Sequence, residues 1–593
     1  MKKKLCVALM CLSMMSLCMM GCGGEKDDAD DDKKDRVDKA GQLLDRDGED
    51  DEDENEDKEP TKSEEDEDDK EPAKSEEDED DKEPAKSEDD EEDKEPVKAD
   101  DEEDEDRKKA EALMNGLSAE ELYDLGTDYR YGENGVEQDY DKAFEYYQKA
   151  MEKGYGAAAN SIGYMHHHGE GVEKDYVKAV EYYEKGVELN EPVAITNLAY
   201  MYEHGYGVET DYALALELYE KSLSMNEGMA ANNLGWMYEH GKGVEQSYEK
   251  AYEYYMEGYS LENGAAAGNL GWMYEKGIYV PQEFDMAIMY YKTGIEWEDG
   301  SSANNLAWMY ENGEGVDQDY DLAIEYYLKA IDLGNAAAAG NMGYLYRYGE
   351  GVEQDYAKAI EYYELGVEMG DDVSANSLGY LYDVGEGVEQ DIEKAIGYYE
   401  IGIERGYGAS AGNIAYLYRY GISVEQDIEK AIEYYEIGAD LGHGISANNL
   451  GYMYDIGEEV EQDIEKAIQY YEIGIELGEG SSAGNLAYLY RYGEGVEQDL
   501  AKAVEYYEIG VSLGHGLSMN NLAYMYLMGD QIQQDYEKAL YYYGLGVDME
   551  YAAAAYGLGY MYYWGLGVEP NELEATYLYD CSIAWGGSYE WYE

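Results

Sequence analysis

Three arginines, Arg347, Arg419 and Arg491, stand 72 residues apart in the near-identical phrases NMGYLYRYG, NIAYLYRYG and NLAYLYRYG. Asp383 and Asp455 hold the same place midway between them. A guanidinium offers a rigid fork of donors, so the chemistry open to it is pairing with a carboxylate or grasping a partner's acidic or aromatic group. Three residues before each arginine lies a ring, and that ring belongs to a longer series at steps of 36: Trp236, Trp272, Trp308, Tyr344, Tyr380, Tyr416, Tyr452, Tyr488 and Tyr524. Rings so placed can stack on sugars or anchor a peptide, as aromatic and Arg side chains dominate binding hot spots. A third series, Asn233, Asn269, Asn305, Asn341, Asn413, Asn449, Asn485 and Asn521, precedes the rings by three residues. Its amides can hold a peptide backbone or bridge two packed helices.

Other chemistry-bearing residues lead nowhere. His166, His167 and His168 are consecutive, and on a helix they point about 100° apart and cannot converge on one ion. His168, His204 and His240 recur at equivalent places, too far apart at helix-stacking distance to share a zinc. The glycine pairs of GEGV are turns and not a phosphate cradle. Paired carboxylates abound, but in so acidic a chain they read as solvated surface, and no calcium-loop spacing occurs. Neither a catalytic residue, a metal site nor a cofactor is expected.

What must position the three series is a strict repeat. Aligning the small residue of the phrase LG-x-x-Y gives Gly126, Gly163, Ala199, Gly235, Gly271, Ala307, Gly343, Gly379, Ala415, Gly451, Ala487, Ala523 and Gly559. After a first step of 37, lengthened by Asn134, each step is 36 residues, the signature of a stacked array. Each unit reads as two helices. In SANSLGYLYDVG, spacing at about 100° per residue places Ala375, Leu378, Gly379 and Tyr382 on one stripe, the small residues allowing close approach. After the turn GEGVEQ, Asp391 is placed to cap a second helix, as are Asp211, Asp319, Asp355, Asp427, Asp463, Asp499 and Asp535, with Ser247 and Asn571 as substitutes. Gly406 and its equivalents are placed to close it in a left-handed turn.

The pattern A-x-x-x-LG-x-x-Y-x-x-G-x-GV-x-x-D-x-x-KA-x-x-YY resembles the Sel-one-like repeat family, longer-period relatives of tetratricopeptide repeats, from residue 116 to about 587. Tyr398-Tyr399 stands where that family often has tryptophan. The resemblance implies an all-α fold, a right-handed α-solenoid of about thirteen 36-residue helix-turn-helix repeats, acting as a scaffold or adaptor without a shared catalytic set. Inner-face asparagines hold the backbone of bound peptides in tetratricopeptide arrays, and the asparagine series is similar to that device.

Composition bounds the partners. With 136 acidic against 43 basic residues, a formal charge of -93 disfavours nucleic acid and anionic membrane surfaces, since phosphate contacts need basic groups. Seventy tyrosines against two phenylalanines call for large rings with a polar tip. Residues 1–21 combine three lysines with an apolar run from Leu5 to Met20, too short to span a bilayer comfortably, and read as a signal peptide. Gly21-Cys22 resembles the lipobox of bacterial lipoproteins, which implies lipid attachment at Cys22; Met19 stands where that motif usually has leucine. Residues 22–107 are an acidic tether, with KEP recurring every twelve residues from 58, and are expected to be disordered because they bury nothing. The solenoid then occupies 108–593.

Residues one and four after each anchor fall off the buried stripe, on the face expected to line the inner surface of the solenoid. There an arginine can reach the aspartate of the next unit, giving a ladder of exposed ion pairs. The expected function is a non-catalytic scaffold, exported and anchored at a bacterial cell envelope or surface. It would bind protein or peptide partners through Trp236, Trp272, Trp308, the Tyr344–Tyr488 series, Arg347, Arg419, Arg491, Asn269, Asn305 and Asn341. The alternative is carbohydrate or cell-wall glycan binding through the same rings, and the third is an enzyme with an unrecognised site. The membrane enters only through the N-terminal lipid.

Overall fold

The computed structural model describes residues 116–529 and 532–587. Cys22, the signal peptide and the tether lie outside them. Among the described residues the regular structure is 26 α-helices, from Ala119–Tyr131 to Glu572–Ala584, alternating as the first and second helix of thirteen repeats. The fold is a helical solenoid. It falls into two compact units, one ending at Ala194 and one beginning at Ile195, a boundary inside the helix Pro192–His204. The first unit holds the hairpins Ala119–Tyr131/Tyr140–Glu152 and Gly156–His168/Tyr176–Glu188. The second carries the remaining helical hairpins.

One repeat shows how the sequence builds the hairpin. The first helix, Asp372–Val384, ends on Gly385 in the left-handed region. In the second helix, Ile392–Glu404, the Asp391 carboxylate accepts from the Lys394 amide at 3.1 Å, satisfying a donor that the helix cannot. The same cap recurs along the chain, with Ser247 and Asn571 serving in its place. At Glu283 no side-chain cap forms. Gly406 takes a left-handed φ of +97°, as expected.

Between the two helices lies the reason for glycine at the anchor. A β-carbon on Gly379 would stand 2.5 Å from the ring of Tyr399, which is fully buried beneath it. The equivalent tyrosines Tyr147, Tyr183, Tyr219, Tyr255, Tyr291, Tyr327, Tyr435, Tyr471 and Tyr507 are the largest enclosed side chains of the molecule. A second close approach joins neighbouring repeats: Gly402 abuts the hydroxyl of Ser410 on the next first helix. The other tyrosine of the pair, Tyr398, stacks on Tyr382 at 5.8 Å and 11°, and Lys394 lies 4.8 Å over that ring. This Lys-Tyr-Tyr stack recurs at Lys358, Lys430, Lys466, Lys502 and Lys538, which accounts for the repeated Lys-Ala pair.

Candidate functional site: the junction face of the first helices

The arginines are not where the helical wheel put them. Arg419 and Arg491 are 6% and 7% exposed and Asp383 is 3% exposed, while Arg347 and Asp455 are half-buried, so in these repeats the place four residues after the anchor is turned inward. It faces the enclosed tyrosine of its own repeat. Where it is acidic, that tyrosine donates to it: Tyr219 to Glu203 at 2.7 Å, Tyr255 to Glu239 at 2.5 Å, Tyr291 to Glu275 at 2.6 Å, Tyr399 to Asp383 at 3.4 Å and Tyr471 to Asp455 at 3.2 Å. Tyr327 donates to Glu311 in the same way. Burial pushes the Glu239 carboxyl up to about 7 and that of Asp455 up to about 6, the tyrosine hydrogen bond opposing in both and Glu494 adding to the second.

The expected ladder from arginine to the next aspartate does not form, because that aspartate is turned onto its own tyrosine. Arg347 and Arg419 instead bridge to the turn of the next repeat. Arg347 pairs with Glu386 at 2.5 Å and Arg419 with Glu459 at 2.8 Å. Each guanidinium also lies between two rings: Arg347 is 4.9 Å over Tyr348 and 4.8 Å over Tyr380, and Arg419 is 5.1 Å over Tyr420 and 5.8 Å over Tyr452. Arg491 sits 5.0 Å over Tyr492 and 5.8 Å over Tyr524. Within the first unit Arg130 repeats the device, 2.7 Å from Glu170 and 4.7 Å over Tyr164. The arginine is therefore a bolt between repeats, held by charge, stacking and burial together. Sequence reasoning missed the turn glutamate, whose signal was an acidic residue in the turn after the Arg130, Arg347 and Arg419 repeats: Glu170 and Glu386 in GEGV and Glu459 in GEEV. It also missed the glutamine of VEQD: Gln426 Nε2 donates to the Arg419 carbonyl at 2.8 Å and Gln354 to the Arg347 carbonyl at 2.8 Å.

The asparagines are also joints. Asn269 donates to Asn232 of the preceding repeat at 2.8 Å, Asn341 to Asn304 at 2.9 Å, Asn413 to Asn376 at 3.0 Å and Asn485 to Asn448 at 3.1 Å. Asn305 is half-buried. At the intervening junctions the acceptor position is glycine, and Gly340, Gly412 and Gly484 pack against Asp371, His443 and His515 of the next repeat. The two-repeat alternation of the sequence is thus an alternation of two junction types.

The rings remain partly open. Trp236, Trp272, Trp308, Tyr344, Tyr380, Tyr416 and Tyr452 are half-buried, with Trp236 stacked on His240 at 4.5 Å and Trp308 beneath the ammonium of Lys276 at 4.8 Å. Towards the C-terminus the row emerges: Tyr488 is 40%, Tyr524 43% and Tyr560 40% exposed, flanked by exposed Tyr492, Met528 and Trp564. Among the described residues no group of three or more His, Cys, Asp or Glu is placed to hold a metal ion. No helix among them is long and apolar enough to cross a membrane.

A family model described as the Sel1 repeat matches thirteen successive segments of the chain, from 122–155 and 156–191 through to 516–550 and 552–584. No curated protein matches. Among solved structures the chain is similar to a protective antigen of uropathogenic Escherichia coli strains with an SLR fold, at 27% identity over 77% of this chain and 96% of that one, TM-score 0.37. It is also similar to a Sel1 repeat protein from Oxalobacter formigenes, at 28% identity over 41% of this chain and 98% of that one, TM-score 0.36.

Proposed function

The chain belongs to the Sel1 repeat family, and we propose that it is a non-catalytic scaffold that binds protein or peptide partners through the ring row of its first helices. The observation that carries this reading is the open stretch Tyr488, Tyr524 and Tyr560, a line of amphipathic rings left exposed on an otherwise interlocked face. Large rings at such positions contribute contact area at low entropic cost, which is why they concentrate in binding hot spots. The half-buried Trp272 and Trp308 serve packing first, so the recognition surface is weighted toward the C-terminal repeats. We further propose that Cys22 is lipidated after export, so that the acidic segment 22–107 holds the solenoid away from a bacterial envelope membrane. The order of lysines, apolar run and Gly21-Cys22 supports that assignment.

The test is capture of defined polypeptides by the full chain, compared with a Tyr488→Ala/Tyr560→Ala variant, since neither ring holds an arginine of the preceding repeat. Capture that falls with the variant while thermal stability holds supports the reading. Retention on insoluble cell wall, released by free sugar and abolished by the same variant, would replace it with glycan binding. Metabolic labelling with a clickable fatty acid checks the anchor, and labelling that survives Cys22→Ser excludes that cysteine.

A further inference from the structure

Of the thirteen first helices, only the neighbours Gly516–Met528 and Ala552–Trp564 contain no Asp, Glu, Lys, Arg or His. The two pack against each other and leave large apolar side chains open: Met528 is 55%, Tyr563 48% and Trp564 61% exposed, beside Tyr524 and Tyr560. Met528 stands one helical turn after Tyr524, and Trp564 one turn after Tyr560. The Trp564 ring lies 5.1 Å from that of Tyr563 and 6.3 Å from that of Tyr560, so the last repeat shows one continuous aromatic ledge. Arg491 marks its upstream limit, 5.8 Å over the Tyr524 ring. The junction between the two repeats has lost its charges as well: Leu527 stands at the place of the bolt arginine and Leu566 at that of the turn glutamate, both in one apolar cluster. Tyr563 holds the same place in the thirteenth repeat, where no further repeat covers it among the described residues.

Charge and area say what fits this ledge. A chain of formal charge -93 repels a second copy of itself wherever acidic surfaces approach. On these two helices no like charges meet and no ion has to be desolvated. A basic partner would be met by carboxylates, and these helices offer none. A tyrosine hydroxyl both donates and accepts, so a row of such rings is complementary to its own copy. At about 200 Å² for a whole ring, the exposed fractions leave about 500 Å² per copy, and a pair buries about 1,000 Å², the size of a specific but reversible interface.

We infer that the ledge of Met528, Tyr560, Tyr563 and Trp564 pairs with the same ledge of a second copy of this chain, giving a reversible two-fold dimer. The inference rests on the reading of the first-helix face as a protein-binding surface and names one polypeptide that it binds. A two-fold axis brings the same residues from both sides, so a single substitution acts twice. Met528 contributes an unbranched side chain that adapts to the gaps between facing rings.

The experiment is sedimentation velocity of the full chain between about 1 and 100 μM, at about 0.15 M salt so that repulsion between acidic surfaces is screened. The expected result is a mass that rises from one copy to two across the range. Dissociation is expected to be at least about ten-fold easier in Met528→Glu and in Trp564→Glu, which set like charges against each other, with the melting temperature of the monomer unchanged because both side chains are exposed. Glu505→Gln, at an exposed position on a second helix, leaves the dimer as it is. A photo-crosslinking amino acid at 528, in a mixture of isotopically light and heavy chains, is expected to join light to heavy within 516–564. A single copy at every concentration, a dimer indifferent to both ledge variants, or light-to-heavy adducts only outside 516–564 would overturn the inference. If the chain stays single while capture of other polypeptides still falls in Tyr488→Ala/Tyr560→Ala, the second copy is wrong and the wider reading stands.

Discussion

Arg419 carries the clearest consequence at the scale of single residues. Its guanidinium is buried, paired with Glu459 and stacked between rings, so its loss strands a carboxylate and opens a gap at a junction. Arg419→Leu should cost about 2 kcal/mol or more, and Arg419→Lys about 1 kcal/mol, because lysine keeps the charge and loses the fork and the stacking. Glu459 is 22% exposed, which limits the penalty below that of a fully buried pair. Urea unfolding checks both, and an unchanged midpoint for Arg419→Leu would refute the bolt. Gly379 gives a second case. An alanine there drives a methyl into the Tyr399 ring, and the expected loss is about 1–3 kcal/mol. Ala415 occupies the equivalent anchor over Tyr435 without exposure of either. Ala415→Gly should therefore lose stability too, through a small cavity and a freer unfolded chain.

Helices and turns were the most legible scale. The 36-residue step, the capping aspartates and the glycine ends are local chemistry, and they appear where the sequence placed them. The side chains on the junction face were misread because a wheel knows only one helix. It put Arg347 and Asp383 beside the buried stripe, and the second helix of the same repeat then closed over that flank with its tyrosine. Which neighbour a buried charge chooses depends on a turn 39 or 40 residues away, a separation that no local period reveals. Gln426 and Asp427 are adjacent devices of one turn, the first tying the end of one helix and the second the start of the next. Gln426→Ala should cost about 1 kcal/mol by orphaning a carbonyl, and Asp427→Ala about the same through the lost cap. Hydrogen exchange should show the loosening at Tyr420–Lys430 first; uniform acceleration across distant repeats would contradict so local a role.

At the scale of the whole molecule, a charge of -93 and a set of buried carboxyls make stability depend on pH. Glu239 has its pKa raised to about 7 in the folded chain, above its ordinary 4.5. Between those values the native state holds a proton that the unfolded state has released, so this group's contribution falls as pH rises from about 4.5 through 7. Asp455 acts in the same sense from 3.8 to about 6. His515, held down to about 4 by burial, acts oppositely: its contribution is full above 6.5 and is lost as pH falls towards 4. Glu239→Gln should leave stability near pH 5 little changed and raise it relative to the parent above pH 7. A parallel offset at every pH would show that Glu239 is ionised in the folded protein.

The central claim is that the first-helix face, interlocked everywhere else, is where a polypeptide partner is met. Its most direct measurement places a photo-crosslinking amino acid at Tyr524 on that face and, in a second protein, at Glu505 on a second helix, with both irradiated among the proteins of the native host. The account predicts defined polypeptide adducts at 524 that are absent at 505. Equal adducts at the two positions, or adducts at 505 alone, would contradict it.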